Sequence, residues 1–125
     1  MNTIARICWV TSPIYLLGGM VFGIWMSATG DHTLAPAHAH LNLIGGVMMA
    51  LFGTFYCLRP NAATGILAKI QVTLAHVSAV TMFPGIILAI TGSGETLAKI
   101  ASILFILCML LFLVIVIRAT SPGSA

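Results

Sequence analysis

Charge is what this chain has least of. Five Lys and Arg and two Asp and Glu make up 6% of 125 residues, against about a quarter in an ordinary soluble domain. That shortage excludes a solvated surface large enough for a water-soluble domain. It also excludes a nucleic-acid-binding face, because Arg6, Arg59, Lys69, Lys99 and Arg118 are dispersed along the chain and do not form a patch. Cysteine is nearly as sparse. Cys8, Cys57 and Cys108 are odd in number and unclustered, so they suggest no disulfide framework or thiolate metal site and read as small apolar packers. The only acids, Asp31 and Glu95, lie outside the apolar runs, which speaks against a carboxylate-based proton-coupled transporter.

What is present is hydrocarbon. Hydrophobic residues make up 60% of the chain, and the mean hydropathy is +1.14. Four apolar stretches, 7–29, 37–58, 66–91 and 97–117, each reach the ~20 residues a helix needs to cross a bilayer. The pattern predicts an all-α integral membrane four-helix bundle, one membrane domain over residues 1–125. The first stretch follows Arg6 as a signal peptide would, but it is about twice the usual apolar core length and is interrupted by Pro13, Gly18 and Gly19. It reads as a retained span. Arg6, Arg59, Lys69 and Arg118 flank one side of the bundle and only Lys99 the other. The positive-inside rule then places both termini in the cytoplasm, as expected in a bacterial inner membrane.

Turn signals at Thr29-Gly30-Asp31, Arg59-Pro60-Asn61 and Thr91-Gly92-Ser93-Gly94 leave short connections, so consecutive helices should be antiparallel neighbours. Gly19, Gly23 and Ser27 in span one, and Asn42, Gly46, Ala50 and Gly53 in span two, form small-residue ladders suited to a tight hairpin. Span three holds Gln71, His76, Ser78 and Thr81, with a kink expected at Pro84. Span four, Leu97 to Ile117, reads as lipid-facing filler.

Against this background the four histidines stand out: His32, His38, His40 and His76. An ionisable side chain inside a span is costly and marks a functional site by default. Neutral imidazole is also a common ligand for heme iron, copper and zinc. His38 and His40 open the segment Pro36-Ala37-His38-Ala39-His40-Leu41-Asn42-Leu43-Ile44-Gly45-Gly46. On a regular helix they point about 200° apart, so they serve different partners instead of gripping one ion. His40 then shares its face with Ile44, Val47, Met48 and Leu51, an apolar wall suited to a porphyrin. His38 shares its face with Asn42, Gly45 and Met49, where a glycine could let a flat macrocycle approach the backbone. His40 falls ~10 Å above the midplane at 1.5 Å rise per residue, and His76 a few ångströms below it. That mismatch makes His76 an awkward axial partner for His40. A His40 from a second copy meets the depth requirement by symmetry.

The run His40-Leu41-Asn42 followed by a Gly-rich apolar helix resembles the His-x-Asn motif in the second helix of heme–copper oxidase subunit I, notably its nitric oxide reductase and cb-type branches. The wider stretch from His38 to Gly46, ending Gly53-Thr54-Phe55-Tyr56, resembles short subunit I-like membrane proteins. The likeness covers the first two spans, about half the chain. It implies that His40 is an axial ligand of a low-spin heme. His38-Ala39-His40 is also similar to the later helix of that family, where two histidines one residue apart bind different hemes. Four spans in place of twelve, with no paired-histidine copper motif and no His–Tyr motif, speak against oxygen reduction by this chain alone. The large subunit is built from three arcs of four helices, so the resemblance implies a homo-oligomer, a trimer or dimer, with heme between protomers.

The expectation is therefore a heme b membrane cytochrome for electron transfer, with His40, His38 and His76 as axial candidates and Asn42, Ile44, Gly45 and Met48 as pocket candidates. A respiratory-chain partner is implied. Two rivals stand beside it. One is a copper-binding assembly protein using His32, His38 and His40. The other is a small transporter or structural subunit in which His76 is the buried titratable group.

Overall fold

The computed structural model describes residues 1–124 as four helices joined by short connections. α1 spans Thr3–Thr29, α2 Ala35–Leu58, α3 Ile66–Ile90 and α4 Thr96–Thr120. All four are long and apolar enough to cross a membrane. Their bounds lie within a few residues of the apolar stretches, because in lipid a continuous run must satisfy its backbone within one helix.

Local chemistry sets the ends. Asn2 caps α1, its Oδ1 accepting from the Ala5 N–H at 2.8 Å, while its Nδ2 donates to the Tyr56 carbonyl at 2.8 Å. That second bond ties the start of α1 to the end of α2. Gly30 closes α1 with φ of 68°, a left-handed conformation that glycine adopts without a Cβ penalty. Pro36 occupies the first turn of α2, where no donor is missed.

α2 departs from the regular helix expected. Leu41–Val47 is a π-helix, ending where the Met48 N–H reaches the Leu43 carbonyl. The wider turn coincides with Asn42, Gly45 and Gly46, all packed on α1, and it changes which residues share a face below His40. Pro13 and Pro84 both lie inside continuous helices.

α1 packs along α2, and α3 along α4, with α2 and α3 meeting in the middle. Side chains mark each contact. A Cβ on Gly19 would collide with the Asn42 amide, and one on Gly46 with the Leu16 side chain. A Cβ on Gly85 would stand 2.8 Å from the Ala98 nitrogen, so the α3–α4 backbones meet closely there. The small-residue hairpin expected between the first two spans is thus present. In the core, Met49, Phe52 and Tyr56 of α2 meet Val72, Ala75 and Ala79 of α3. α4 is largely exposed, yet it is more than filler. Phe112 stacks edge-on against Phe52 at 4.8 Å and Phe55 at 5.2 Å between ring centroids. Cys108 is fully buried and bonded to Gln71.

The antiparallel hairpins gather Arg6, Arg59, Lys69 and Arg118 at one end of the bundle, with the N-terminus. Asp31, His32, Glu95 and Lys99 lie at the other. There Lys99 and Glu95 form an exposed ion pair at 2.9 Å, of the kind that contributes little in water.

Candidate functional site

The histidines separate as the helical spacing of α2 requires. His38 turns toward α1. Its Cε1 would lie 3.0 Å from a Cβ on Gly23, and its ring centroid is 6.3 Å from that of Phe22. The Asn42 Nδ2 group, one turn on, is 3.2 Å from His38 Nε2. Amide N–H donates there, so Nε2 accepts and the neutral ring carries its proton on Nδ1. Among the described residues, His38 Nδ1 and Asn42 Oδ1 are the buried side-chain polar atoms without a hydrogen-bond partner. His38 and Asn42, each half-buried, thus form a polar pair in the α1–α2 seam.

His40 points the other way and is exposed. Its Nδ1–H donates to the Pro36 carbonyl oxygen at 2.7 Å. A carbonyl only accepts, so this bond assigns the ring proton to Nδ1 in the neutral form and leaves the Nε2 lone pair outward. Ligating histidines commonly have their second nitrogen held in this way, which fixes the ring and raises its basicity. Leu43, Val47 and Leu51, exposed at 54%, 46% and 54%, continue along the outside of α2 below His40. No other helix of the chain covers them.

His76 is spoken for at both nitrogens. Nδ1–H donates to the Val72 carbonyl at 2.9 Å, and Nε2 lies 3.0 Å from Thr11 Oγ1. Tyr15 sits beside it, ring centroids 6.0 Å apart. The arrangement is a polar clasp between α1 and α3. His32 is exposed in the loop between α1 and α2.

The other candidates divide between packing and surface. Ile44 is buried in the core, and Met48 is half-buried beside it. Gly45 is covered by Tyr15, whose Cγ would lie 2.5 Å from a Cβ there. The open glycine face expected for a macrocycle is therefore filled by an aromatic ring of the same chain. The sequence reading passed over Leu43, although regular i, i+3 spacing already makes it a neighbour of His40. It also missed Pro36 as the ring's anchor, although a histidine four residues after any helical carbonyl could have suggested it. Among the described residues, no three His, Cys, Asp or Glu side chains come together to hold one metal ion.

No known protein family, curated protein or solved structure matches this chain.

Proposed function

We propose that this chain is a membrane heme b protein in which His40 is the iron ligand, working as an electron-transfer cytochrome. One observation carries the reading. His40 stands exposed on α2 with Nδ1 anchored to the Pro36 carbonyl and Nε2 free of any partner among the described residues. A neutral imidazole so prepared suits axial ligation. Leu43, Val47 and Leu51 supply apolar surface for a macrocycle face next to it. His38 and His76 have less to offer. The first has its accepting nitrogen engaged by Asn42, and the second has both nitrogens engaged.

Because His40 lies on the outside of the bundle, the second axial imidazole is best supplied by His40 of another copy. Two copies about an axis normal to the membrane put these rings at one depth. A dimer satisfies this directly, and the trimer implied by the oxidase likeness would pair the rings differently. Heme b would bring one-electron redox chemistry, with two histidines favouring a low-spin iron suited to electron transfer. The chain's part is to fix the ring through Pro36 and to shield the macrocycle with aliphatic side chains. A respiratory partner in a bacterial inner membrane, with both termini cytoplasmic, fits the basic end formed by Arg6, Arg59, Lys69 and Arg118.

The test is optical. Protein purified after heme-replete expression should show a Soret band and b-type bands on reduction. His40→Ala should lose them and His76→Ala should retain them. A colourless wild type, or a His40→Ala variant with unchanged spectra, removes the reading. Stoichiometric copper without porphyrin would favour a metal-handling role instead.

A further inference from the structure

A cavity of about 410 Å³ opens at the basic end of the bundle, far along α2 from His40. The Arg59–Gly65 connection forms one wall, and the last turn of α4, which carries Arg118, forms the other with Ser124 beyond it. Leu58, Leu67 and Ile115 line its apolar side. Arg59 and Arg118 therefore line one cavity in a chain whose only acidic side chains, Asp31 and Glu95, lie at the opposite end. Among the described residues, neither Arg59 nor Arg118 has a carboxylate partner.

We propose that this cavity binds the phosphodiester headgroup of an anionic phospholipid. Arginine offers a planar fork of donors matched to phosphate oxygens, and two like charges on one cavity are relieved by an anion between them. α3 begins at the same place, at Gly65, with no side-chain cap on its first N–H groups, so its positive end adds to the field. The apolar wall selects a lipid over a free ion. Leu58, 74% exposed at the end of α2, sits where acyl chains leave a headgroup held by Arg59 and Arg118. Basic pockets between helices at the cytoplasmic surface suit such headgroups.

The experiment is native mass spectrometry of the full-length protein in detergent, titrated with phosphatidylglycerol, phosphatidylcholine or inorganic phosphate. Wild type should retain phosphatidylglycerol preferentially over phosphatidylcholine. Arg59→Gln and Arg118→Gln should each reduce that preference about fivefold, and the double variant should abolish it. Lys69→Gln, at the same end but outside the cavity, should leave the preference unchanged. Both arginines are exposed, so their neutralisation leaves the fold intact. Circular dichroism of each variant checks this, and the Lys69→Gln variant supplies the matched loss of charge. An equal loss in Lys69→Gln would reduce the effect to diffuse surface charge and overturn the site. Displacement of the lipid by millimolar inorganic phosphate would overturn the lipid assignment.

Discussion

Asn42 Oδ1 occupies the space that a side chain on Gly19 would need. The two helices approach closely enough there that a methyl group and the amide cannot coexist without movement. Gly19→Ala should therefore destabilise the α1–α2 hairpin by about 1–3 kcal/mol, the usual cost of overpacking. Gly23→Ala should cost less, since its closest neighbour is the edge of the His38 ring at 3.0 Å, which can shift. The decisive measurement is a double-mutant cycle in reversible unfolding. Adding Asn42→Ala to Gly19→Ala should recover most of the loss, and strict additivity would show that the two residues do not compete for space.

The bond from Tyr56 Oη to Gln71 Oε1, 2.9 Å long, joins α2 to α3. Gln71 Nε2 continues to Cys108 Sγ of α4 at 3.3 Å. All three side chains are fully buried. Interhelical hydrogen bonds in membranes couple by about 0.6 kcal/mol on average and about 1.7 at most. The Tyr56→Phe and Gln71→Leu pair should give a coupling within that range. A value near zero would mean that packing alone, not this polar chain, aligns the three helices.

If His40 carries the iron, its exposed position makes the missing ring replaceable. His40→Gly should lose the Soret band and regain it when free imidazole is added, because no other helix of the chain closes over that face. A His38→Gly variant, whose ring lies within the α1–α2 seam, should show no comparable dependence on imidazole. Failure of imidazole to restore the His40→Gly spectrum would argue that His40 holds the fold instead of a cofactor.

How far the residues themselves foretold this arrangement differs from feature to feature. The four helices were legible because uninterrupted apolar runs of this length have few alternatives in lipid. The divergence of His38 and His40 was legible for an equally simple reason, the fixed turn per residue of a helix. Ile44, expected beside His40, is buried in the core instead, because in so apolar a run the pattern does not tell which flank of α2 meets its neighbours, nor where the π turn at Leu41–Val47 falls. Gly45 pointed to a close approach, but nothing in its neighbours along the chain named Tyr15 as what approaches. The partners of His76 were hidden likewise, since Thr11 lies 65 residues away. The Arg59–Arg118 cavity was the least visible of all, being created only when the end of α4 returns beside the α2–α3 connection.

Asp31, in the connection between α1 and α2, accepts from the Thr33 hydroxyl at 2.6 Å and from the Thr33 backbone N–H at 2.9 Å through the same Oδ1. The hydroxyl bond is the main cause holding its carboxyl below the ordinary aspartate range. The backbone bond comes next, and the nearby His32 adds a smaller pull in the same direction. Both bonds favour the ionised form, so the folded loop binds its proton less readily than the unfolded chain does. The contribution is present above the unfolded pKa, about 3.9, and is lost as pH falls through the lower folded value. Because Asp31 is wholly exposed, the effect should be confined to the order of the loop. Thr33→Val keeps the backbone donor and removes the hydroxyl, so the Asp31 pKa should rise toward the ordinary value. Carboxyl carbon NMR titration of the two proteins reads this directly, and identical titration curves would show that the Thr33 hydroxyl does not hold the carboxylate in solution.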